Sequence, residues 1–331
     1  MLKAIVFGGS EVTYQSWYGT PEAVLENDPE GIEEVIINNG LDEEQAMNMR
    51  TAGRTFNWYL YDDQVDNYKQ DHYQLHLSHR FTDQLTGTMA LHYTYGRGFF
   101  EQFRRQDDFG DYGVESPVIG NSTIEETDLV RRRWLDNDFY GTTLALQYQP
   151  NRKLQLTWGG AWNYYDGDHF GEVIWAEIAT PFPKDYRYYD NVGEKEDFNT
   201  YLKADIELTE RLSVFGDLQY RFIDYQTFGI DSDLREIDVD VTYNFFNPKF
   251  GATYELNDRS RIYGSFAIAN REPVRTDFID SETTPDNETL RNIELGYRRE
   301  GRISLEANAY LMDYKNQLVL TGELNDVGSS L

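Results

Sequence analysis

The sequence predicts an all-β protein: an antiparallel transmembrane β-barrel, present in part, with long extracellular loops and some helix in the first of them. Long segments alternate apolar and polar residues with a period of two, which is typical of strands with one apolar face. These strands run to about 12 residues, whereas strands of soluble proteins average about 5 or 6. The connections alternate between tight turns and loops of roughly fourteen to sixty residues, as in outer-membrane barrels.

One hairpin, within residues 134–175, displays the pattern most clearly. Apolar residues recur at every second position of 140–148, a tight turn follows at Pro150-Asn151-Arg152, and the same alternation returns over 154–164. Aromatic residues near strand ends on the apolar face fit the interfacial girdles of membrane barrels, namely Tyr93, Tyr95, Trp158, Trp162, Tyr164 and Tyr220.

The first long loop, from Gly8 to about Asn67, follows a strand end at residues 2–7 and carries helices. Thr20-Pro21 and Asp28-Pro29 each combine a capping residue with proline at the first helical position. Gly40 is placed to end the second helix, and a third short helix is predicted over 42–49.

Ten further strands bring the predicted number of membrane spans to eleven. They cover residues 70–81, 85–95, 140–148, 154–164, 198–208, 212–222, 249–256, 261–269, 290–298 and 303–311. Irregular loops are predicted at 98–135, 166–196, 226–247 and 271–287. Residues 237–245 also alternate, but a span there would break the order of short and long connections. They are therefore predicted to be a strand-like extension above the membrane.

The odd number of spans predicts an incomplete barrel, because bacterial single-chain barrels have an even number of strands. The last residues, Ser329-Ser330-Leu331, read as a loop. The expectation is a fragment over residues 1–331 of a larger barrel that lacks strands at both ends.

Composition excludes several classes of protein. The chain of 331 residues has 58 acidic against 30 basic residues, a net charge of -28, which disfavours nucleic acid as a partner. There is no cysteine for disulfides or thiolate chemistry, no secretion signal after Met1 and no apolar run of about 18 residues for a membrane helix. No catalytic constellation appears, so neither an enzyme nor a cofactor is predicted.

Several phrases resemble the barrel of TonB-dependent outer-membrane receptors, especially those of Bacteroidetes, over residues 7–328. They are GSEVTYQSWYGTPE, DNYKQDHYQLHLSH, RRRWLDNDFYGTT, GDHFGEVIW, FFNPKFGATY, ANREPVRTDF and LMDYKNQLVLTGELNDVG. The resemblance implies a barrel of roughly 22 strands in the outer membrane of a Gram-negative bacterium, closed by an N-terminal plug.

The same resemblance implies energised import of a scarce ligand, commonly a ferric siderophore, sometimes cobalamin or another nutrient. The implied partners are outer-membrane lipid, a small-molecule or metal-chelate ligand, and the TonB complex acting through the plug. This sequence departs from the family by lacking the plug, the TonB-contacting box, the signal peptide and the closing C-terminal strand. The chain alone is therefore not expected to transport.

Candidate ligand-binding residues lie at loop boundaries near the open end. Arginines there could grip an anionic ligand by charge-assisted hydrogen bonds, or could pair with acids such as Asp128, Glu272 and Asp277. The tyrosines at 112, 186, 188 and 189 could stack on a ligand or pack on one another. The predicted site residues are Arg131, Arg133, Asp166, Asp168, His169, Tyr188, Arg271 and Arg275.

Two patterns invite a metal prediction that the residues do not support. His72 and His76 would lie about 13 Å apart on one face of a strand, which favours polar residues facing the lumen. Asp166, Asp168 and Glu177 echo the spacing of a calcium loop, but Phe170 stands where an oxygen ligand is needed.

Three functions remain open at this point. The first is an uptake receptor, as described above. The second is a surface glycan-binding or adhesin-type barrel that transports nothing, and the third is a glycosidase built on loop carboxylates.

Overall fold

A single open sheet of 11 antiparallel strands dominates the computed structural model, which describes residues 1–184, 186–279, 281 and 283–317. The strands are β1 (Leu2–Tyr14), β2 (Val65–Arg80), β3 (Leu85–Asp108), β4 (Val118–Ile119), β5 (Ser122–Thr123), β6 (Glu126–Asn151), β7 (Leu154–Ala176), β8 (Arg187–Glu207), β9 (Leu212–Ile230), β10 (Glu236–Asn257), β11 (Ser260–Arg271), β12 (Glu288–Arg299) and β13 (Leu305–Lys315). The helices are α1 (Glu22–Glu26), α2 (Pro29–Asn38), α3 (Glu43–Thr51) and α4 (Arg275–Ile279).

The large sheet confirms the predicted antiparallel barrel wall and its eleven spans. Apart from the separate β4–β5 hairpin, each strand pairs with its neighbours in chain order. In the described part of the chain β1 and β13 do not pair with each other, so the wall is not closed. The predicted terminal loop at residues 329–331 lies outside the described residues.

The predicted loops 98–135 and 166–196 are wrong over much of their length, because the strands extend far above the lipid-facing segments. β3 continues to Asp108 and β6 begins at Glu126, and the β6–β7 pairing runs up to Leu129 and Ala176. Above the membrane both strand faces meet water, so the alternation that reveals a span fades while the backbone pairing continues. Residues 237–245 form the upper half of β10, paired with β9, as predicted for a strand-like extension.

The two faces of the wall differ in chemistry. Four outward-facing tyrosines stand side by side in one row of the register, and in the next row up three neighbouring strands carry carboxylates. The tyrosines are Tyr73, Tyr93, Tyr140 and Tyr164, and the carboxylates are Asp138, Asp166 and Glu194. This order marks the upper edge of the lipid-facing band.

The opposite, inner face carries polar side chains at the alternate positions. His72 and His76 lie there as predicted, with their rings 3.1 Å from the Gln70 and Gln74 amide oxygens. In an outer-membrane barrel this polar face borders the lumen.

The helices between β1 and β2 form a small insert with its own core. Asp42 and Gln45 make a reciprocal capping box at the start of α3, and Gly40 ends α2 with a φ of 58°, as predicted. The core residues are Val24, Ile32, Ile36, Ala46, Met49 and Phe56. Each described helix is too short and too polar to cross a membrane.

The insert is fastened to the upper end of β3, which extends past the end of β2. The Gln15 amide donates to the Glu101 carbonyl at 3.1 Å, and the Gln64 side chain accepts the Phe103 N–H at 3.0 Å. Both glutamines are buried, so their amides replace the missing strand partner along this edge. The insert therefore belongs structurally to the wall.

Candidate ligand-binding site

The site is built on the inner face above the lipid-facing band, where β6 to β9 form a continuous surface. Two loops fold inward over it, one between β3 and β6 and one between β11 and β12. One loop, between β3 and β6, brings Tyr112 against Tyr188 with ring centroids 4.8 Å apart. Tyr188 in turn meets Tyr189 at 4.9 Å. These tyrosines, with Tyr186, pack on one another, and burial raises the pKa of Tyr188 to about 12.

Arg131 lies beside this aromatic cluster and binds neutral groups. Its Nε and Nη2 donate to the Gln102 amide oxygen at 3.1 and 3.0 Å, and its Nη1 donates to the Tyr112 hydroxyl at 3.1 Å. Tyr112 donates its own proton to Asp107 at 2.6 Å. The nearest carboxylate in this network is thus one residue removed from the guanidinium.

Arg133 follows two residues later on the same face. Its Nε donates to the Tyr189 hydroxyl at 3.3 Å, and the guanidinium carbon lies 5.4 and 5.5 Å from the ring centroids of Phe100 and Tyr189. Across the described residues no carboxylate forms an ion pair with Arg133. The intervening Arg132 points outward and binds the Glu101 carboxylate at 2.7 Å.

Arg275 approaches the same space from the loop between β11 and β12. Its Nη1 donates to Thr227 and its Nη2 to the Asn191 side-chain oxygen, each at 2.8 Å, while Asp231 lies 3.5 Å away. Asn191 and Thr227 are buried polar side chains of β8 and β9. These two neutral groups position the guanidinium, and Asp231 is its ion-pair partner.

His169 completes the group on the inner face of β7. Burial, together with the nearby positive charges of Arg275 and Arg133 and against the opposing effect of Asp231, lowers the pKa of His169 to about 4. The ring is therefore neutral near pH 7. The wall brings together five of the predicted residues, namely Arg131, Arg133, His169, Tyr188 and Arg275.

The other three predicted residues lie elsewhere. Asp166 and Asp168 sit on the outward face of β7, within a strand and not in the expected loop. Burial, followed by repulsion from neighbouring carboxylates, raises the pKa of both. Arg271 ends β11 and pairs with Glu288 at 3.7 Å.

The calcium-like spacing of Asp166, Asp168 and Glu177 therefore falls mostly on a paired strand. In the described ranges, no group of three or more His, Asp or Glu side chains is arranged to hold a metal ion.

The acids predicted as possible partners of the candidate arginines bind other groups. Asp128 accepts the Gln106 N–H at 2.9 Å, and Asp277 accepts the Val274 N–H at 2.7 Å. Glu272 binds two basic residues of the wall, Lys195 and Arg221.

Sequence reasoning missed Lys195, Arg221, Asn191 and Thr227. Lys195 and Asn191 fell in a segment predicted to be a loop, so their face could not be assigned. Arg221 sits on the polar face of a predicted span, where an arginine is the signal that could have singled it out.

Long antiparallel strands, an apolar outward face, a polar inner face and inward-folded loops together define the wall of an outer-membrane β-barrel. The model of the TonB-dependent receptor-like β-barrel family matches residues 9–330, and this chain belongs to that family. The family consists of receptors and not enzymes, and its members reside in the outer membrane.

Solved structures agree on the fold. The ferric-catecholate import receptor Fiu of E. coli K12, in its closed form, is 13% identical with a TM-score of 0.58, covering 99% of this chain and 50% of that chain. The ferripyoverdine receptor of Pseudomonas aeruginosa is 15% identical with a TM-score of 0.52, covering 77% of this chain and 34% of that one. The copper transporter OprC is 13% identical with a TM-score of 0.56, covering 76% and 39%.

This chain thus spans about half the length of Fiu, and at such identities the likeness establishes the fold alone. No curated protein matches the sequence.

Proposed function

We propose that this chain forms part of the barrel of an outer-membrane receptor for TonB-energised uptake of a scarce anionic metal chelate, such as a ferric siderophore. The family match and the open, 11-stranded wall support this function. The remaining strands and the plug would come from parts of the receptor beyond this chain. The names of Fiu and of the ferripyoverdine receptor supply the ligand class.

One observation indicates that the ligand is anionic: Arg131, Arg133 and Arg275 converge on the inner face in a chain whose net charge is -28. Among the described residues Arg131 and Arg133 have amide and hydroxyl partners and no ion pair, whereas Arg275 also pairs with Asp231 at 3.5 Å, so two of the three positive charges have no direct counter-charge. Guanidinium groups held in this way bind carboxylate, catecholate or hydroxamate oxygens through charge-assisted hydrogen bonds. An anionic chelate fits this wall better than a neutral sugar.

Substitution Arg133→Gln in the intact receptor tests the proposal. It removes one charge and one hydrogen-bond fork, so the Kd for an anionic ferric chelate should rise about tenfold or more. This corresponds to a loss of roughly 1.5–3 kcal/mol of binding free energy. Isothermal titration of purified receptor against a panel of ferric siderophores measures the change, and radioactive iron uptake by cells measures its consequence.

Arg97→Gln is the matched control, because Arg97 lies on the outward face of β3, where it pairs with Asp136. Equal loss of binding in both variants would contradict a ligand site on the inner face. Binding of neutral oligosaccharides, and of no chelate, would favour the glycan-binding alternative instead.

A further inference from the structure

The segment 272–279, called the strap here, opens the loop between β11 and β12 and crosses the inner face. It does not stay over its own strands, because its side chains contact β8 and β9 on the far side of β10. With neighbouring strands about 4.8 Å apart, this is a reach of about 10–15 Å over the wall. The strap therefore occupies space that a ligand in the lumen would use.

The first contact of the strap is the Glu272 carboxylate. Its Oε1 accepts from Lys195 Nζ at 2.6 Å and from Arg221 Nη2 at 3.1 Å, and its Oε2 accepts from Arg221 Nη1 at 3.0 Å. The carboxylate thus receives a bidentate guanidinium fork and one ammonium. This is the arrangement that recognises a free carboxylate with the highest geometric specificity.

The orientation of Arg221 in the wall does not depend on the strap. Asp197, on β8 beside β9, takes the other edge of the Arg221 guanidinium through Nη2 at 2.6 Å and Nε at 3.1 Å. Asp197 therefore fixes the direction of the fork. Lys195, Arg221 and Asp197 together carry one net positive charge when Glu272 is absent.

Because this site is buried, its net positive charge is stable only when an anion is bound beside it. The Glu272 and Arg221 side chains are only 12% and 24% exposed. A cation held out of water without a partner is costly, so withdrawal of Glu272 favours entry of another anion.

The rest of the strap is held by side chains. Arg275 binds Thr227 and Asn191, and the Phe278 ring stacks on Tyr225 with centroids 5.5 Å apart. Arg235, just before β10, donates its Nη1 to the Ile279 carbonyl at 3.1 Å, and among the described residues no hydrogen bond between two backbone groups joins the strap to the wall. The strap can therefore leave without breaking the sheet.

We propose that Lys195 and Arg221 form a carboxylate-binding site in the lumen wall, that Glu272 fills it in the unliganded receptor, and that a carboxylate of the ligand displaces Glu272. This rests on the proposed uptake function and narrows the ligand to chelates that carry a free carboxylate. Glu272 acts as a tethered competitor. The apparent association constant of the ligand is therefore the intrinsic constant multiplied by the fraction of receptor in which the strap is open.

Direct binding of succinate, a carboxylate probe, tests the site in the full receptor. Glu272→Ala should bind succinate at least tenfold tighter than the wild type, and Glu272→Ala with Lys195→Met should lose that gain. Succinamide, which has the same shape without charge, should bind none of the variants. Glu300→Ala, in a tight turn far from the strap, is the matched control and should resemble the wild type.

Movement of the strap provides a readout that does not depend on affinity. This chain has no cysteine, so spin labels at Thr276→Cys and on the inner face of β6 at Thr143→Cys report one distance. Succinate should lengthen that distance in the wild type and leave it unchanged in the Glu272→Ala variant, where the strap has already lost its anchor.

The outcomes separate the two proposals. If Glu272→Ala binds succinate no better than the wild type, the carboxylate site is wrong even where Arg133 proves essential for iron uptake. If succinate binding behaves as expected but no chelate is taken up in a TonB-dependent way, the site stands and the uptake function falls.

Discussion

At the scale of single residues, the run Arg131 to Arg133 illustrates how a strand divides identical side chains between two environments. Arg131 and Arg133 bind neutral partners on the inner face, whereas Arg132 binds Glu101 on the outside. The alternation of side chains along a strand is enough to place Arg131 and Arg133 on the candidate ligand site and Arg132 on the outer wall.

Arg132 is expected to be structural. Glu101 is 4% exposed, and its carboxylate also accepts the Tyr61 hydroxyl proton at 2.7 Å. Arg132→Ala would leave that carboxylate buried without its cation, which should lower the unfolding free energy by about 2–4 kcal/mol. Chemical unfolding monitored by tryptophan fluorescence measures the loss, and an unchanged Kd for the ligand would separate stability from binding.

The lowered pKa of His169 predicts that the folding stability depends on pH. Because its pKa is lowered to about 4 in the folded protein, the unfolded chain binds more protons between about pH 6.5 and pH 4. Folding stability contributed by the neutral ring is therefore present above pH 6.5 and is lost as the pH falls through this window. The melting temperature of the wild type should drop more steeply over that range than that of His169→Gln, and parallel curves would refute the assignment.

At the scale of elements, the helical insert followed its local signals. The Asp28 cap with Pro29, the Asp42 cap and Gly40 each act within a few residues, so local signals position α2 and α3. The predicted start of α1 is wrong by one position, because Pro21 is itself the N-cap residue and no side chain caps this helix.

Gly40 provides a direct test of that local coding. At a φ of 58° an added Cβ meets no neighbour but strains the backbone, so Gly40→Ala should destabilise the insert by about 1 kcal/mol. Gly19 also has open space around it and has no left-handed φ, so Gly19→Ala should be neutral. Hydrogen exchange of the α2 amides compares the two variants, and equal exchange rates would contradict the prediction.

Long-range elements were less accessible to sequence reasoning. The strands inside lipid were predictable because one face must be apolar, but above the membrane Asp166 and Asp168 occupy a strand face that water also reaches. The Lys195–Glu272 contact joins residues 77 positions apart, and the Arg221–Glu272 contact joins residues 51 apart. Such contacts depend on how a loop folds back, which alternation does not encode.

At the scale of the whole molecule, the tyrosine row predicts where lipid ends. Leu144 faces outward two rows below Tyr140, inside the lipid band, whereas Ile174 faces outward far above it. Leu144→Arg should lower the stability of the receptor in vesicles by about 2–4 kcal/mol, and Ile174→Arg should have little effect. Urea titration of refolded receptor measures both, and equal effects would place the membrane boundary elsewhere.

The height of the upper wall has a consequence for how a ligand arrives. From Tyr140 to the start of β6 at Glu126 the strand rises by about 14 residues, which is roughly 46 Å of chain and about 35 Å of elevation at a typical tilt. Along this height the outer face carries carboxylates such as Asp138 and Asp166 as well as the paired Arg97 and Arg132, and the inner face presents Arg131 and Arg133 without ion-pair partners among the described residues. We expect the inner arginines to attract a diffusing anion at the mouth of the barrel, so the rate at which it is captured should fall as salt is added.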